Sequence, residues 1–265
     1  MTYRFTILGC GSSGGVPRVG MNWGACDPQN QKNNRLRCSA LVERKGAGGQ
    51  TAVLIDTSPD FRAQILATRL TGLDAVLYTH DHADHTHGID DLRMIAFSMK
   101  KRIDVYFDAA TGASLKSRFG YCFETPPGSA YMPILNGHEI DGVSPIPVRG
   151  GGGMITAQPI LQAHGTMPSL GYRIGNLAYS PDINDLPEAS ISLLQGLDVW
   201  IVDALRYTPH ESHFSVKQAL SWAARLKPKR TILTHMTSEL DYQKLANELP
   251  EGVEPAYDGM VVTFT

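Results

Sequence analysis

Five short apolar runs in this chain each end in a histidine or an aspartate: AVLYTH, PILQAH, LAYSPD, VWIVDA and TILTH. Runs of this length and continuity read as strands buried on both faces, as in a parallel sheet covered by helices. In layered α/β proteins, functional side chains collect where loops leave one edge of a sheet. The five runs would therefore deliver His80, His164, Asp182, Asp203 and His235 to a common rim.

The rest of the chain reads as mixed strands and helices. Further strands are expected at Phe5–Leu8, in CSALVER and TAVLIDT, and at Asp104–Phe107, Gly171–Ile174 and Met260–Phe264. KGAGGQ reads as a hairpin turn between the second and third of these, and the glycines at 150–153 as another turn. Helices are expected at Phe61–Arg69, Leu92–Met99, Ser215–Leu226 and Leu240–Leu249, with Ser215 as an N-cap. Gly9 to about Arg37 is rich in Gly, Pro, Asn and Asp and lacks periodicity, as a long functional loop does. No internal repeat of fixed period and no domain boundary stand out, so residues 1–265 read as one domain.

The densest chemical signal is THDHADHTHG at 79–88, with His80, His82, Asp84 and His85 in H-x-H-x-D-H order. Residues two apart on an extended chain project to the same side, so His80 and His82 can grip one ion. Asp84 and His85 follow a turn and can reach a second ion. Imidazole and carboxylate donors suit zinc, manganese or iron(II) better than calcium. His87 lies beside the motif without matching it.

On this motif the chain resembles the metallo-β-lactamase superfamily. The resemblance implies a four-layer αββα sandwich, an α/β fold, with metals at one edge of two sheets. It implies that His80, His82 and His164 hold a first ion, that Asp84, His85 and His235 hold a second, and that Asp182 bridges both. The cofactor expected is thus two divalent metal ions, zinc or manganese, with iron also compatible. Two such ions about 3.5–4 Å apart give a hydroxide nucleophile near neutral pH. Their surplus positive charge favours an anionic substrate.

The resemblance also implies supporting roles. Asp56, ending AVLID, would orient a ligand histidine. Asp203 would pair with His213, which would protonate the leaving group. The carboxylate is expected to raise the pKa of His213. His210 competes for that role. With Asp84, these two residues make up the expected catalytic set.

GCGSSGGVPRVG, WGACDP…NNRLRCS and GIDDLR resemble the PhnP-type branch, whose members are cyclic phosphodiesterases. That branch often carries a zinc-binding cysteine cluster in its first loop. Here Cys26 stands alone in that loop, so no structural zinc is expected. Cys10, Cys38 and Cys122 have no CxxC partner, and all four read as free thiols. Backbone groups of Ser12, Ser13, Gly14 and Gly15 are candidates for phosphate contact, with Arg93, Arg35, Arg37 and Arg62 as candidate clamps. Trp23 is a candidate for packing the loop.

The expected function is hydrolysis of a small, cyclic ribose or nucleotide phosphodiester. Three alternatives are tRNA 3′ processing, thioester or lactone hydrolysis on the same fold, and non-catalytic nucleotide binding. Net charge is −2, and MKKR at 99–102 is the one short basic cluster, which argues against long nucleic acid as partner. No long apolar run or secretory signal is evident, so a cytoplasmic setting without membrane contact is expected. A homodimer is compatible with the sequence.

Overall fold

The structure, a computed structural model, describes residues 2–265. Its strands in chain order are β1 (Tyr3–Gly9), β2 (Ser39–Gly46), β3 (Gly49–Ile55), β4 (Ala75–Leu77), β5 (Ile103–Phe107), β6 (Leu135–Glu139), β7 (Ile146–Gly150), β8 (Gly153–His164), β9 (Met167–Ile174), β10 (Leu177–Ser180), β11 (Val199–Asp203), β12 (Arg230–Thr234), β13 (Val253–Pro255) and β14 (Val261–Phe264). The helices are α1 (Phe61–Thr68), α2 (Ala83–Thr86), α3 (Leu92–Met99), α4 (Ala109–Phe119), α5 (Glu188–Ile191), α6 (Val216–Leu226) and α7 (Tyr242–Glu248).

The strands form two seven-stranded sheets, in the orders β14-β1-β2-β3-β4-β5-β6 and β13-β12-β11-β10-β9-β8-β7. Each half of the chain winds the same way. An antiparallel meander (β1 to β3, then β7 to β10) gives way to parallel strands joined by helical crossovers (β3 to β6, then β10 to β13). β14 returns to pair with β1. The halves repeat a winding without repeating a sequence, so no period is visible in the residues.

Alternation along the strands builds the layers. Phe5, Ile7, Ala40, Val42, Val53, Ile55, Ala75 and Leu77 share one core with Tyr172, Ile174, Tyr179 and Ile201 of the other sheet. Their neighbours Leu8, Leu41, Leu54, Val76 and Tyr78 turn the opposite way, onto Phe61 and Ile65 of α1, Leu92 and Ile95 of α3, and Leu115 of α4. On the far side, Val216, Ala219, Ala223 and Leu226 of α6 and Leu245 of α7 cover the second sheet. Burial on both faces explains why these strands read as continuous apolar runs. The result is the αββα sandwich expected of the sequence.

The expected helices at 61–69, 92–99, 215–226 and 240–249 correspond to α1, α3, α6 and α7. Ser215 caps α6 in a capping box with Gln218. Helices α2, α4 and α5 and strands β6, β7 and β13 were not anticipated. The 9–37 segment is irregular apart from a short turn at Gln31–Asn33. It is pinned by Arg35, 2% exposed, which donates to the carbonyls of Thr237 (3.0 Å) and Leu240 (2.6 Å). Asp258 adds a second anchor, accepting from the N–H groups of Cys10 (3.0 Å) and Leu36 (2.6 Å). Among the described residues no helix is long and apolar enough to cross a membrane.

Both glycine-rich turns are tight hairpins, closing at Gly46–Gly49 and Gly150–Gly153, and they meet at the end of the sandwich opposite the His/Asp rim. A Cβ on Gly152 would collide with the Arg44 carbonyl, and one on Gly46 would stand 2.6 Å from the Gly152 carbonyl oxygen. The contact therefore requires bare backbone from each sheet. Gly152→Ala is expected to cost about 1–3 kcal/mol of stability through forced overlap. Urea unfolding would measure it, and metal affinity, set at the other end, should stay unchanged.

Candidate metal centre

The parallel strands β3, β4, β10, β11 and β12 all finish on one rim, and β8 reaches the same rim from the antiparallel part. Asp56 and His80 follow β3 and β4, His164 closes β8, Asp182 follows β10, Asp203 closes β11, and His235 follows β12. Asp56 (φ 63°) and His235 (φ 56°) sit in the left-handed region, where the chain swings away from its strand.

The donor atoms converge. One atom from each of His80, His82, His164 and Asp182 lies within 4.8 Å of the others, and so does one from each of Asp84, His85 and His235. Asp182 stands between the groups. Its Oδ1 is 3.9 Å from His80 Nε2, 3.7 Å from His164 Nε2 and 3.4 Å from His235 Nε2. Its Oδ2 is 3.0 Å from His85 Nε2. His82 Nδ1 and His164 Nε2 are 3.4 Å apart. Two nitrogens on a tetrahedral zinc, each about 2.0–2.1 Å from it, would stand roughly 3.3 Å from one another. His80 Nε2, His85 Nε2, His235 Nε2 and Asp182 Oδ2 are buried without a hydrogen-bond partner in the protein. Buried polar atoms are rarely left so unless a ligand takes them up. The residues present thus fit a metal centre.

Three imidazoles are braced from behind. His85 Nδ1 is 2.7 Å from Asp56 Oδ2, and His164 Nδ1 is 2.7 Å from the Ser212 carbonyl. Thr79 gives its N–H to Asp56 Oδ1 and its hydroxyl to Asp56 Oδ2, each at 2.8 Å. That leaves the Thr79 oxygen to accept from His80 Nδ1 at 2.9 Å. Carbonyls and carboxylates only accept, so each Nδ1 carries a proton and each Nε2 is the atom turned to the cluster. Thr79 and Ser212 were not anticipated. Thr79 adjoins the motif, but Ser212 works through its backbone, which no side-chain pattern announces.

Charge at the site suits a cation. Burial pushes His80 well below the usual imidazole value and His164 down to about 4, so both are neutral donors at pH 7. Burial opposes ionisation of Asp182, but His235 and His85 override it and hold the carboxyl well below its usual range. Asp84 is held down in the same way, burial being outweighed by His85 and His235. Burial alone would lower His85, yet Asp182, Asp84 and Asp56 together raise it well above its usual value. Positive charge is strongly favoured at that spot.

Asp203, fully buried, places Oδ2 2.7 Å from His213 Nδ1. The His213 ring stacks on His235 at 4.7 Å and meets His164 edge-on at 4.7 Å. The expected upward shift of His213 is not found. Burial pushes it down, outweighing Asp182, and burial also pushes the Asp203 carboxyl well up. His210 spends Nδ1 on the Ser212 N–H (3.2 Å) and lies near its hydroxyl (3.1 Å), with no carboxylate behind it.

The candidate substrate contacts are placed less uniformly. Ser12 is buried and donates to the Met236 carbonyl at 3.2 Å, which sets the exposed Ser13 and Gly14 beside the chain leaving His235. Arg93 is turned elsewhere: it binds Asp90 at 2.6 Å, lies over Tyr121 and Tyr131, and makes no ion pair with the cluster. Arg35 is occupied by loop carbonyls, Arg37 is held by both oxygens of Asp60 (2.6 and 2.7 Å), and Arg62 is exposed on α1. The Cys26 thiol faces the carbonyls of Ser238 and Leu240 at 3.5 Å, and Trp23 is half-buried in the same loop.

Comparison with known proteins gives a consistent picture. The beta-lactamase superfamily domain family matches residues 51–236. The crystal structure of a diphosphatase from the PhnP family superimposes with a TM-score of 0.89 at 35% identity, covering 100% of this chain and 98% of its own. An octanoyltransferase from Porphyromonas gingivalis is 33% identical over 259 residues, 97% of this chain and 51% of that protein, so the chain spans about half the length of this curated relative. Zinc-bound PqqB from Methylobacterium extorquens shares the fold, with a TM-score of 0.76 at 18% identity over 98% of this chain and 99% of its own.

Asp56 orients two of the clustered imidazoles while touching neither group of donors from the front. Asp56→Asn keeps size and tolerates the left-handed backbone, but it turns an acceptor into a donor. Metal affinity is expected to fall roughly 10–100-fold, read by competition with a chromogenic chelator. The fold, the donor set and the full-length likeness agree: this chain is a metal-dependent hydrolase that belongs to the beta-lactamase superfamily and, within it, to the PhnP family.

Proposed function

We propose that the protein hydrolyses a small phosphodiester, a cyclic ribose or nucleotide phosphate in particular. Two divalent ions would be held, one by His80, His82 and His164, the other by Asp84, His85 and His235, with Asp182 shared. When bound, such ions supply Lewis acidity and an acidified water. Asp84 and Asp182 bring two negative charges to a site built for about four positive ones, and the surplus draws an anionic substrate. The exposed Ser13–Gly14 turn, next to Ser12 on the Met236 carbonyl, would offer backbone groups to a phosphate oxygen.

The observation that carries the reading is the His213–Asp203 pair at 2.7 Å, stacked against the cluster. Asp203 would hold the His213 Nδ1 proton and leave Nε2 as the atom that passes a proton to a departing alkoxide; the burial that lowers His213 would make that imidazolium the readier donor once formed. Ring opening of a cyclic phosphodiester expels such an alkoxide. A second reading, hydrolysis of a diphosphate bond, draws support from the likeness to a PhnP-family diphosphatase. A phosphate leaving group is already a stable anion and has little need of an acid.

The two readings separate on leaving group. The protein loaded with manganese or zinc is expected to open 2′,3′-cyclic nucleotides and to lose that activity on chelation. His213→Ala should cut turnover of the cyclic nucleotide by about 10²–10⁴-fold. Turnover of bis-p-nitrophenyl phosphate, whose phenolate needs no proton, should fall far less, with metal content unchanged. Absence of turnover on both substrates by the loaded wild type would defeat the proposal. Cleavage of a diphosphate diester alone, indifferent to His213→Ala, would favour the second reading.

A further inference from the structure

The clustered donors are not equally supported. His80, His85 and His164 have buried acceptors behind them, whereas His82 is exposed and Asp84 is half-buried, and neither has a comparable brace. Both lie on the segment from Asp81 to His87, whose one regular element is the four-residue α2. A helix that short has no stability of its own. Something outside the segment must hold its shape.

Helix α4 meets it from outside. The helix is started by Asp108, which accepts from the Thr111 N–H at 2.7 Å. Ser114 and Arg118, four residues apart, share one face of it. Arg118 Nη2 donates to the Asp81 carbonyl at 2.6 Å and lies 3.3 Å from the Asp81 carboxylate. Ser114 Oγ donates to the same carboxylate at 2.6 Å, and Arg118 Nη2 is 2.7 Å from Ser114 Oγ. Arg118 Nη1 reaches to 3.4 Å from His87 Nε2. One planar guanidinium thus spans both ends of the segment, touching the residue between His80 and His82 and the residue that closes α2. These contacts also give Asp81 and His87 a place in the site.

We propose that Arg118, seconded by Ser114, is a positioning residue for His82 and Asp84: a splint on the outer side of the metal motif that fixes the spacing between the two donor groups. This rests on the metal-centre reading above. Lysine could meet Asp81 with one ammonium but could not bridge to His87 in a plane, so it should restore only part of the effect.

The test is metal binding itself, by chelator competition, with the visible spectrum of the cobalt(II)-loaded protein as a readout of donor geometry. Arg118→Ala is expected to weaken binding roughly tenfold or more, the range found for other outer supports of metal ligands, and to alter the cobalt spectrum. Arg118→Lys should fall between the two. Ser114→Ala, which removes one hydroxyl, should shift both readouts in the same direction and serves if Arg118→Ala does not fold. Wild-type affinity and spectrum in Arg118→Ala, or in Ser114→Ala where that variant stands in, would overturn the proposal. A rise in KM alone with unchanged metal binding would overturn it too, since the guanidinium would then be acting on substrate. Failure of the wild type to take up metal would instead sink the metal-centre reading.

Discussion

A buried carboxylate faced by imidazoles organises this molecule. Asp182 is 1% exposed and stands within 4 Å of nitrogens from His80, His85, His164 and His235. Each of those rings leaves a different strand or turn, so the charge at the centre is satisfied only when both sheets end at the same height. Desolvation of such a group is costly, and imidazole neighbours plus a divalent cation are what offset it. The parallel strands, the left-handed residues at Asp56 and His235 and the backing hydrogen bonds all serve that convergence.

Much of this could be read from the residues because burial on both faces writes strands as apolar runs, and each run stops where its polar terminal residue begins. His80, His164, Asp182, Asp203 and His235 were visible for that reason. The unanticipated strands are β6, β7 and β13, and each lies at the edge of a sheet. Edge strands are short and partly solvated, so LNGHE and IPVRG carry no long apolar signature. Helix α4 was missed because AATGASLKSRF offers little beyond Leu115 and Phe119 to set a period, and Gly112 packs directly on Phe107. Its helicity comes from a cap and from tertiary contact, neither of which is a pattern.

Side-chain roles were harder to foresee than side-chain positions. Arg35 looked like a phosphate ligand and is a strut. Arg93 looked similar and is held by Asp90 and two tyrosines. An arginine in a sequence shows its charge but not which acceptors the fold supplies. The carboxylate beside His213 was expected to raise that imidazole. The fold buries both partners, and burial changes the balance in the opposite direction.

The meeting of the two glycine hairpins has a consequence for how the ions are received. It joins the two sheets at the end of the sandwich farthest from the rim, through close-packed glycine backbone, the Thr51 hydroxyl between the Gly152 N–H and the Gly153 carbonyl, and the Arg44 guanidinium on the Met154 carbonyl. This end of the sandwich is held by contacts that involve none of the metal-site residues, unlike small zinc domains in which the ion is the centre of the fold. Cation uptake then completes a ready mould. By linkage its binding free energy also adds to the stability of the folded chain, because the unfolded chain has no such rim.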